Sequence, residues 1–297
     1  MRIIELSNER ITEFADYCRR HRADVDESFI YDEDLENFQV DKYNPTYVAT
    51  DNDDRITAVA SLIADEYNRC GKKGRFRIFH SEINDAVIYE SLLQSILKHT
   101  DGLERVNIFV SMQNKELMDN IAGLGFKIER YIFLMLRELN DVPHYDLPMD
   151  YSIRSLDIDQ DAESWCLVRN AAFASVKGNE TPVTPQMVKE MTLSKDYIEG
   201  GCMMLYHKDR AVGCIRCSLD DHENEPAVSI GPLAVIPEYQ GKGLGRILLR
   251  AGIDFAKYKA FDKAILCVNT DNERARSLYI QEGFRQVEAI VCYYLGF

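Results

Sequence analysis

No stretch of this chain stays apolar long enough to cross a bilayer, and MRIIELSNER at its start lacks the apolar segment and small-residue cleavage site of a secretory signal. A membrane partner is not expected, and the expected location is cytoplasmic. Basic charge is also scarce. With 35 Lys and Arg against 49 Asp and Glu, the net charge is -14, and nucleic acid is an unexpected partner because phosphate backbones need clustered cations. Cysteine pairs at metal spacing are missing as well. Cys18, Cys70, Cys166, Cys202, Cys214, Cys217, Cys267 and Cys292 are scattered, mostly in apolar segments, as reduced core thiols are. The CxxC of Cys214 and Cys217 has no second Cys or His pair to complete a site, so no metal is expected. Two nucleotide-binding signatures fail on spacing. Nothing matches GxxxxGK followed by Ser or Thr, and Gly241, Gly243 and Gly245 run GxGxG, with the only nearby acid, Asp262, placed before the next strand.

What the chain does have is length for two domains and a repeat to fill them. Its 297 residues exceed what one core usually organises. LNDVPHYDLPMD (Leu139–Asp150) carries two prolines and no periodicity, as a connector does. MRIIELS and YSIRSLD each open a half with an alternating strand before a helix-like segment. Asp54-Arg55 and Asp209-Arg210 each sit between two strand-like runs, 155 positions apart. Asn114 to Phe126 and Asn272 to Phe284 each span 12 positions from an Asn, through a helical pattern, to Gly-Phe. A near-constant offset kept by several features in order implies one domain duplicated in tandem. The expected fold is mixed α/β: two domains, each a mixed, mostly antiparallel twisted sheet flanked by helices. The boundaries read as residues 1–140, a linker over 141–150, and residues 151–297.

The most informative segment is LAVIPEYQGKGLGRILLRAGIDFAKYK (Leu233–Lys259). Before it, VSIGPLAV is a buried-strand pattern broken by Gly231 and Pro232, which predicts a bulge and backbone groups freed from the neighbouring strand. The alternate glycines then allow close approach of a ligand to a helix N-terminus, whose N–H groups and dipole favour an anion. Leu248, Ala251, Phe255 and Tyr258 give that helix its expected inward face. Gln240-Gly241-Lys242-Gly243-Leu244-Gly245 resembles the Arg/Gln-x-x-Gly-x-Gly/Ala signature of the GCN5-related N-acetyltransferases (GNAT). Asn272, Ala275, Leu278, Tyr279, Gly283 and Phe284 are similar to that family's second signature. The tandem layout resembles mycothiol synthase-like members, in which the C-terminal domain does the chemistry.

The resemblance implies an acetyl-CoA-dependent N-acetyltransferase acting on a primary amine of a small metabolite, mycothiol-precursor-like or aminoglycoside-like. It implies Tyr279 as the acid for the departing thiolate and the backbone N–H of Leu233 as donor to the acetyl carbonyl. Main-chain groups of Val235 and the Asn272 amide are implied for the pantetheine arm, and Gln240, Gly241, Lys242, Gly243, Leu244, Gly245 and Arg246 for the pyrophosphate. Where relatives carry a glutamate base this chain has Ser229, which could work only through a water. Glu225 falls in DDHENE, which reads as a solvated loop, and His207 and His222 fall in expected turns. The N-terminal copy is expected to be degenerate: FRIFHSEINDAVIYE has no glycine, and Ile121 stands where the second copy has Tyr279. A non-catalytic acyl-CoA-binding or regulatory module is the alternative, and either a monomer or a homodimer is compatible with the sequence.

Overall fold

The computed structural model describes residues 2–223 and 225–297. By its contacts the chain divides into two compact units, one of residues 1–132 with 289–297 and one of residues 133–288. Two strands change unit along their length: β6 (Lys127–Glu138) begins in the first and ends in the second, and β12 (Arg285–Gly296) does the reverse.

In the first unit the order is β1 (Arg2–Glu5), α1 (Ile11–Arg20), α2 (Asp32–Glu36), β2 (Thr46–Thr50), β3 (Ile56–Ile63), α3 (Glu66–Cys70), β4 (Lys73–Ser81), α4 (Ala86–Leu97), β5 (Arg105–Ser111), α5 (Lys115–Gly123) and the start of β6. Strands β1 to β4 pair antiparallel in sequence, β4 and β5 run parallel, and the end of β12 closes on β5 antiparallel, from Ile290 opposite Ser111 to Gly296 opposite Arg105. Leu92 and Ile96 of α4 are fully buried against Ala58, Ala60 and Leu62 of β3. On the other face Phe14, Tyr17 and Cys18 of α1 pack over Val48, Val59 and Ile78.

The second unit repeats the plan: β7 (Tyr151–Ser155), α6 (Ile158–Phe173), α7 (Pro185–Met191), β8 (Tyr197–His207), β9 (Arg210–His222), β10 (Glu225–Val235), α8 (Leu244–Tyr258), β11 (Lys263–Asn269), α9 (Glu273–Gln281) and the start of β12. Strands β7 to β10 are antiparallel and β10 runs parallel to β11. Each side chain of α8 lost from the core would cost about 1.5–3 kcal/mol of transfer free energy, and Leu248, Leu249 and Ile253 are all fully buried. Tyr258 corrects the expected inward face. It is 84% exposed, because it lies in the last turn, past the sheet that α8 covers.

Both Asp-Arg dipeptides mark hairpins, with Asp54 at φ 62° and Lys208 at φ 54°. Asn114 and Asn272 are both N-caps, accepting from the N–H of Leu117 and of Ala275. Six of the eight cysteines are buried, and Cys70 and Cys267 are exposed. No described helix is long and apolar enough to cross a membrane.

Candidate active site

The site is built on a strand that stops pairing on one side. Strand β10 keeps register with β9 up to Ile230 opposite Cys217, shifts across the cis Gly231-Pro232 bond, and resumes with Leu233 opposite Ile215. Against β11 it pairs only at Val228 and Ser229, after which the two parallel strands part. Ile236 donates its N–H to Val212. In an antiparallel ladder bonded pairs alternate, so Ala234 and Ile236 turn their polar groups to β9 while Leu233 and Val235 turn theirs to the gap. The bulge therefore places both expected main-chain residues in the opening. The Val235 carbonyl already accepts from Gln240 Nε2 at 2.9 Å, so Gln240 braces the loop from behind.

At the far end of the gap lies the glycine loop. Gly241 and Gly243 hold φ of 82° and 80°, the left-handed region, and Gly243 is the N-cap of α8. Among the described residues, none of the five backbone N–H groups from Gly241 to Gly245 has a protein acceptor. A Cβ at Gly243 would meet nothing within 4 Å, and one at Gly245 only Leu278 at 4.0 Å. The space over the loop is open, and five unpartnered donors at a helix N-terminus call for an anion. Arg274 lies beside Gly241, and Lys242 rests its ammonium over the Tyr239 ring at 4.6 Å. Arg246 is turned the other way, to the Glu282 carboxylate at 3.4 Å and to Gln281.

Tyr279, on α9, is 9% exposed and set edge-on to Phe284 at 6.0 Å. Burial alone pushes its phenol up to about 12. Asn272 uses its oxygen on the Ala275 N–H at 3.1 Å.

The charge run DDHENE is corrected. Asp220 to His222 extend β9 and Glu225 starts β10, while Asn224 lies outside the described residues. Glu225 is exposed and bound to Lys263. His222 ends β9 instead of sitting in a turn, and His207 ends β8, stacked on Tyr151 at 4.5 Å and bonded to the Tyr239 hydroxyl at 2.9 Å. Extending the strands has a consequence for Ser229. It stands opposite Ser218, and Ala227 stands opposite Asp220, so Ser229 and Asp220 share one face a single pair apart. Asp220 is half-buried, and that burial raises its carboxyl above the ordinary range, partly offset by bonds from the Asp221 N–H and the Ser229 hydroxyl. Sequence reading missed Asp220 because it looked like one more acid in a charged loop. The signal was the Arg216-Ser218-Asp220 alternation, which continues the polar face of a strand.

The first unit has the same strand gap, filled differently. β4 pairs with β5 only from Lys73 to Arg75, then parts from it. Into that gap runs the segment Val25-Asp26, beside Phe76, Phe79, Phe109 and Leu117. Asp26 bonds Arg75 at 2.5 Å, and Asn114 donates to the Asp24 carbonyl at 2.8 Å. The N-terminus of α4 is taken by the Asp85 carboxylate, bonded to the Val87 N–H. Ile121 is fully buried.

Residues 144–284 match the Acetyltransferase (GNAT) family. By that match this segment is similar to the GNAT family. A mycothiol acetyltransferase of Renibacterium salmoninarum is 28% identical over 225 residues, 73% of this chain and 65% of that protein's own length, just under two thirds of it. Over 99% of the chain, the fold matches a solved GCN5-related N-acetyltransferase of Sphaerobacter thermophilus, with a TM-score of 0.71 at 15% identity over 95% of that chain. It also matches a tandem GNAT protein from the clavulanic acid biosynthesis pathway, with a TM-score of 0.71 at 13% identity over 98% of that chain. The glycine loop, the kinked β10 and Tyr279 all fall inside the matched GNAT segment.

Proposed function

We propose that the chain is an acetyl-CoA-dependent N-acetyltransferase with one acyl-CoA site, in the second unit, acting on a primary amine of a small metabolite. The observation that carries this is the open strand gap leading from Leu233 to the five unpartnered N–H groups of Gly241 to Gly245. A pyrophosphate would accept from those donors, and the Val235 N–H, turned to the gap, and the Asn272 amide would meet the pantetheine amides. Lys242 and Arg274 supply positive charge at the loop.

In the reaction the amine nitrogen attacks the thioester carbonyl carbon, a C–N bond forms and the C–S bond breaks. The Leu233 N–H faces the gap and donates to the carbonyl oxygen as it gains charge. Tyr279, pushed up to about 12, is fully protonated at neutral pH. Against an ordinary thiol near ~8.5, complete proton transfer from this phenol is uphill, so it serves the departing sulfur as a hydrogen-bond donor. The proton lost by the amine goes to Asp220 through Ser229 and a water. A carboxylate of raised pKa is the stronger base for that step.

For the acceptor, a mycothiol-precursor-like amine follows from the similarity to the mycothiol acetyltransferase, and an aminoglycoside-like amine is the second candidate. Asp196 and Asp221, near Asp220, favour a cationic molecule. The test is release of free thiol from acetyl-CoA with a panel of small primary amines. Amine-dependent release supports the proposal; acetyl-CoA binding with no release for any amine makes the chain a binding module instead.

A further inference from the structure

His21, Asp24 and His80 come together in the first unit from the end of α1, the turn after it and the end of β4, with their ligand atoms all within 4.8 Å of one another. Asp24 Oδ2 is the hub, 2.9 Å from His21 Nδ1 and 3.8 Å from His80 Nε2. The two imidazoles lie 4.3 Å apart, ring centre to ring centre.

The hydrogen bonds around the cluster set the direction of its lone pairs. Tyr17 has one hydroxyl proton and three neighbours: His80 Nδ1 at 2.8 Å, the His80 carbonyl at the long distance of 3.5 Å and, nearer than that, the Thr57 carbonyl at 3.2 Å. A carbonyl can only accept, so the two shorter bonds both form when Tyr17 donates to Thr57 and accepts from the His80 Nδ1–H. That leaves the His80 Nε2 lone pair facing a carboxylate oxygen at a distance too long for a proton to join them. Two electron-rich atoms facing each other without a proton between them need a cation.

We propose that His80 Nε2, Asp24 and His21 Nδ1 bind one divalent cation of the zinc type, which clamps the Arg22–Asp26 segment over the strand gap of the first unit. Imidazole and carboxylate ligands suit that ion, and three protein ligands leave a position for water. At metal–ligand distances near ~2.0–2.1 Å, neighbouring ligand atoms sit roughly 3.3 Å apart, between the two separations from Asp24 found here, so turning the exposed Asp24 side chain equalises them. Each imidazole also has the outer partner that metal-bound histidines have. His80 Nδ1–H is held by Tyr17, and His21 Nε2 faces Glu82 at 3.1 Å. The plugging segment follows directly: Asp24 offers its carbonyl to Asn114, and Asp26 pairs with Arg75.

The test uses the full chain, stripped with a chelator and then titrated with zinc in competition with a chromophoric chelator. The proposal expects one zinc per chain, weakened by at least about tenfold in His80→Gln and in Asp24→Asn. Asp24 is solvent-exposed, so its variant keeps the fold even if the His80 variant does not. Cobalt bound in place of zinc should show no thiolate charge-transfer band. A strong band would put the metal on Cys70 or Cys267 and overturn the proposal, as would unchanged zinc binding in Asp24→Asn or no zinc binding at all. None of these readouts depends on acetyl-CoA, so the site and the proposed activity stand or fall separately.

Discussion

Asn114 holds Asp24: the amide of the first donates to the main-chain carbonyl of the second at 2.8 Å, inside the strand gap of the first unit. At the same step of the second unit, Asn272 caps its helix in the same way, and it is Asn269, three residues earlier, that donates to a main-chain carbonyl, that of Lys177 at 2.9 Å. What separates the two copies is the helix N-terminus beside the gap: in the first the Asp85 carboxylate accepts from the Val87 N–H, and in the second, among the described residues, the N–H groups of Gly241 to Gly245 have no protein acceptor.

Tyr279→Phe removes the donor to the departing sulfur and little else, because the phenol is shaped by burial and a ring contact. The expected result is turnover lowered by roughly 10²-fold or more, with acetyl-CoA affinity nearly unchanged. Steady-state kinetics alongside calorimetry check it; equal turnover in both proteins removes Tyr279 from the mechanism.

Gly245→Ala separates binding from stability. Gly245 lies in α8, and the new methyl would approach only Leu278 at 4.0 Å, so helix propensity favours alanine by up to about 1 kcal/mol. The same methyl points into the space over the loop. Thermal unfolding should occur at the same or a higher temperature with acetyl-CoA binding retained, as the Gly/Ala choice at this position of the resembled signature implies; a loss of stability would mean that the methyl is not accommodated beside Leu278.

Asp220→Asn addresses pH. The proposed base works only when ionised, so turnover should fall as pH drops through its pKa, which lies above the ordinary 3.8. The Asn variant should lose turnover at neutral pH and lose that acid limb. Because the folded-state pKa is raised, folding favours the neutral acid, and stability is lost as pH rises through that value. The variant should therefore gain stability relative to the parent at pH 7 compared with pH 3, measured by urea unfolding. An unaltered pH profile would exclude Asp220 as the base.

Gly283→Ala tests a structural role. Gly283 holds φ 84°, and a Cβ there would lie 2.9 Å from the guanidinium of buried Arg137, which also donates to the Glu282 carbonyl. Left-handed strain and the displaced Arg137 should together cost roughly 2 kcal/mol of stability, read from denaturant midpoints. No loss would mean that the turn relaxes freely.

Local features were legible in the sequence, and long-range ones were not. The kink at Gly231-Pro232, the loop from Gly241 to Gly245 and the paired Asn caps all have their causes within a few residues, so composition and spacing reveal them. Asp220 needed the register of two strands before it could be told from its charged neighbours, and Tyr258 needed the extent of the sheet beneath α8. The plug of Val25 and Asp26, and the meeting of His21 with His80, join residues far apart in the chain. No local pattern announces either.

The most direct test of the account is a calorimetric titration of the full chain with acetyl-CoA. The account predicts one site per chain, abolished by Gly243→Trp, which fills the open cradle of the second unit. Two sites would show that the plugged gap of the first unit still takes the ligand, and no binding would contradict the acyl-CoA site altogether.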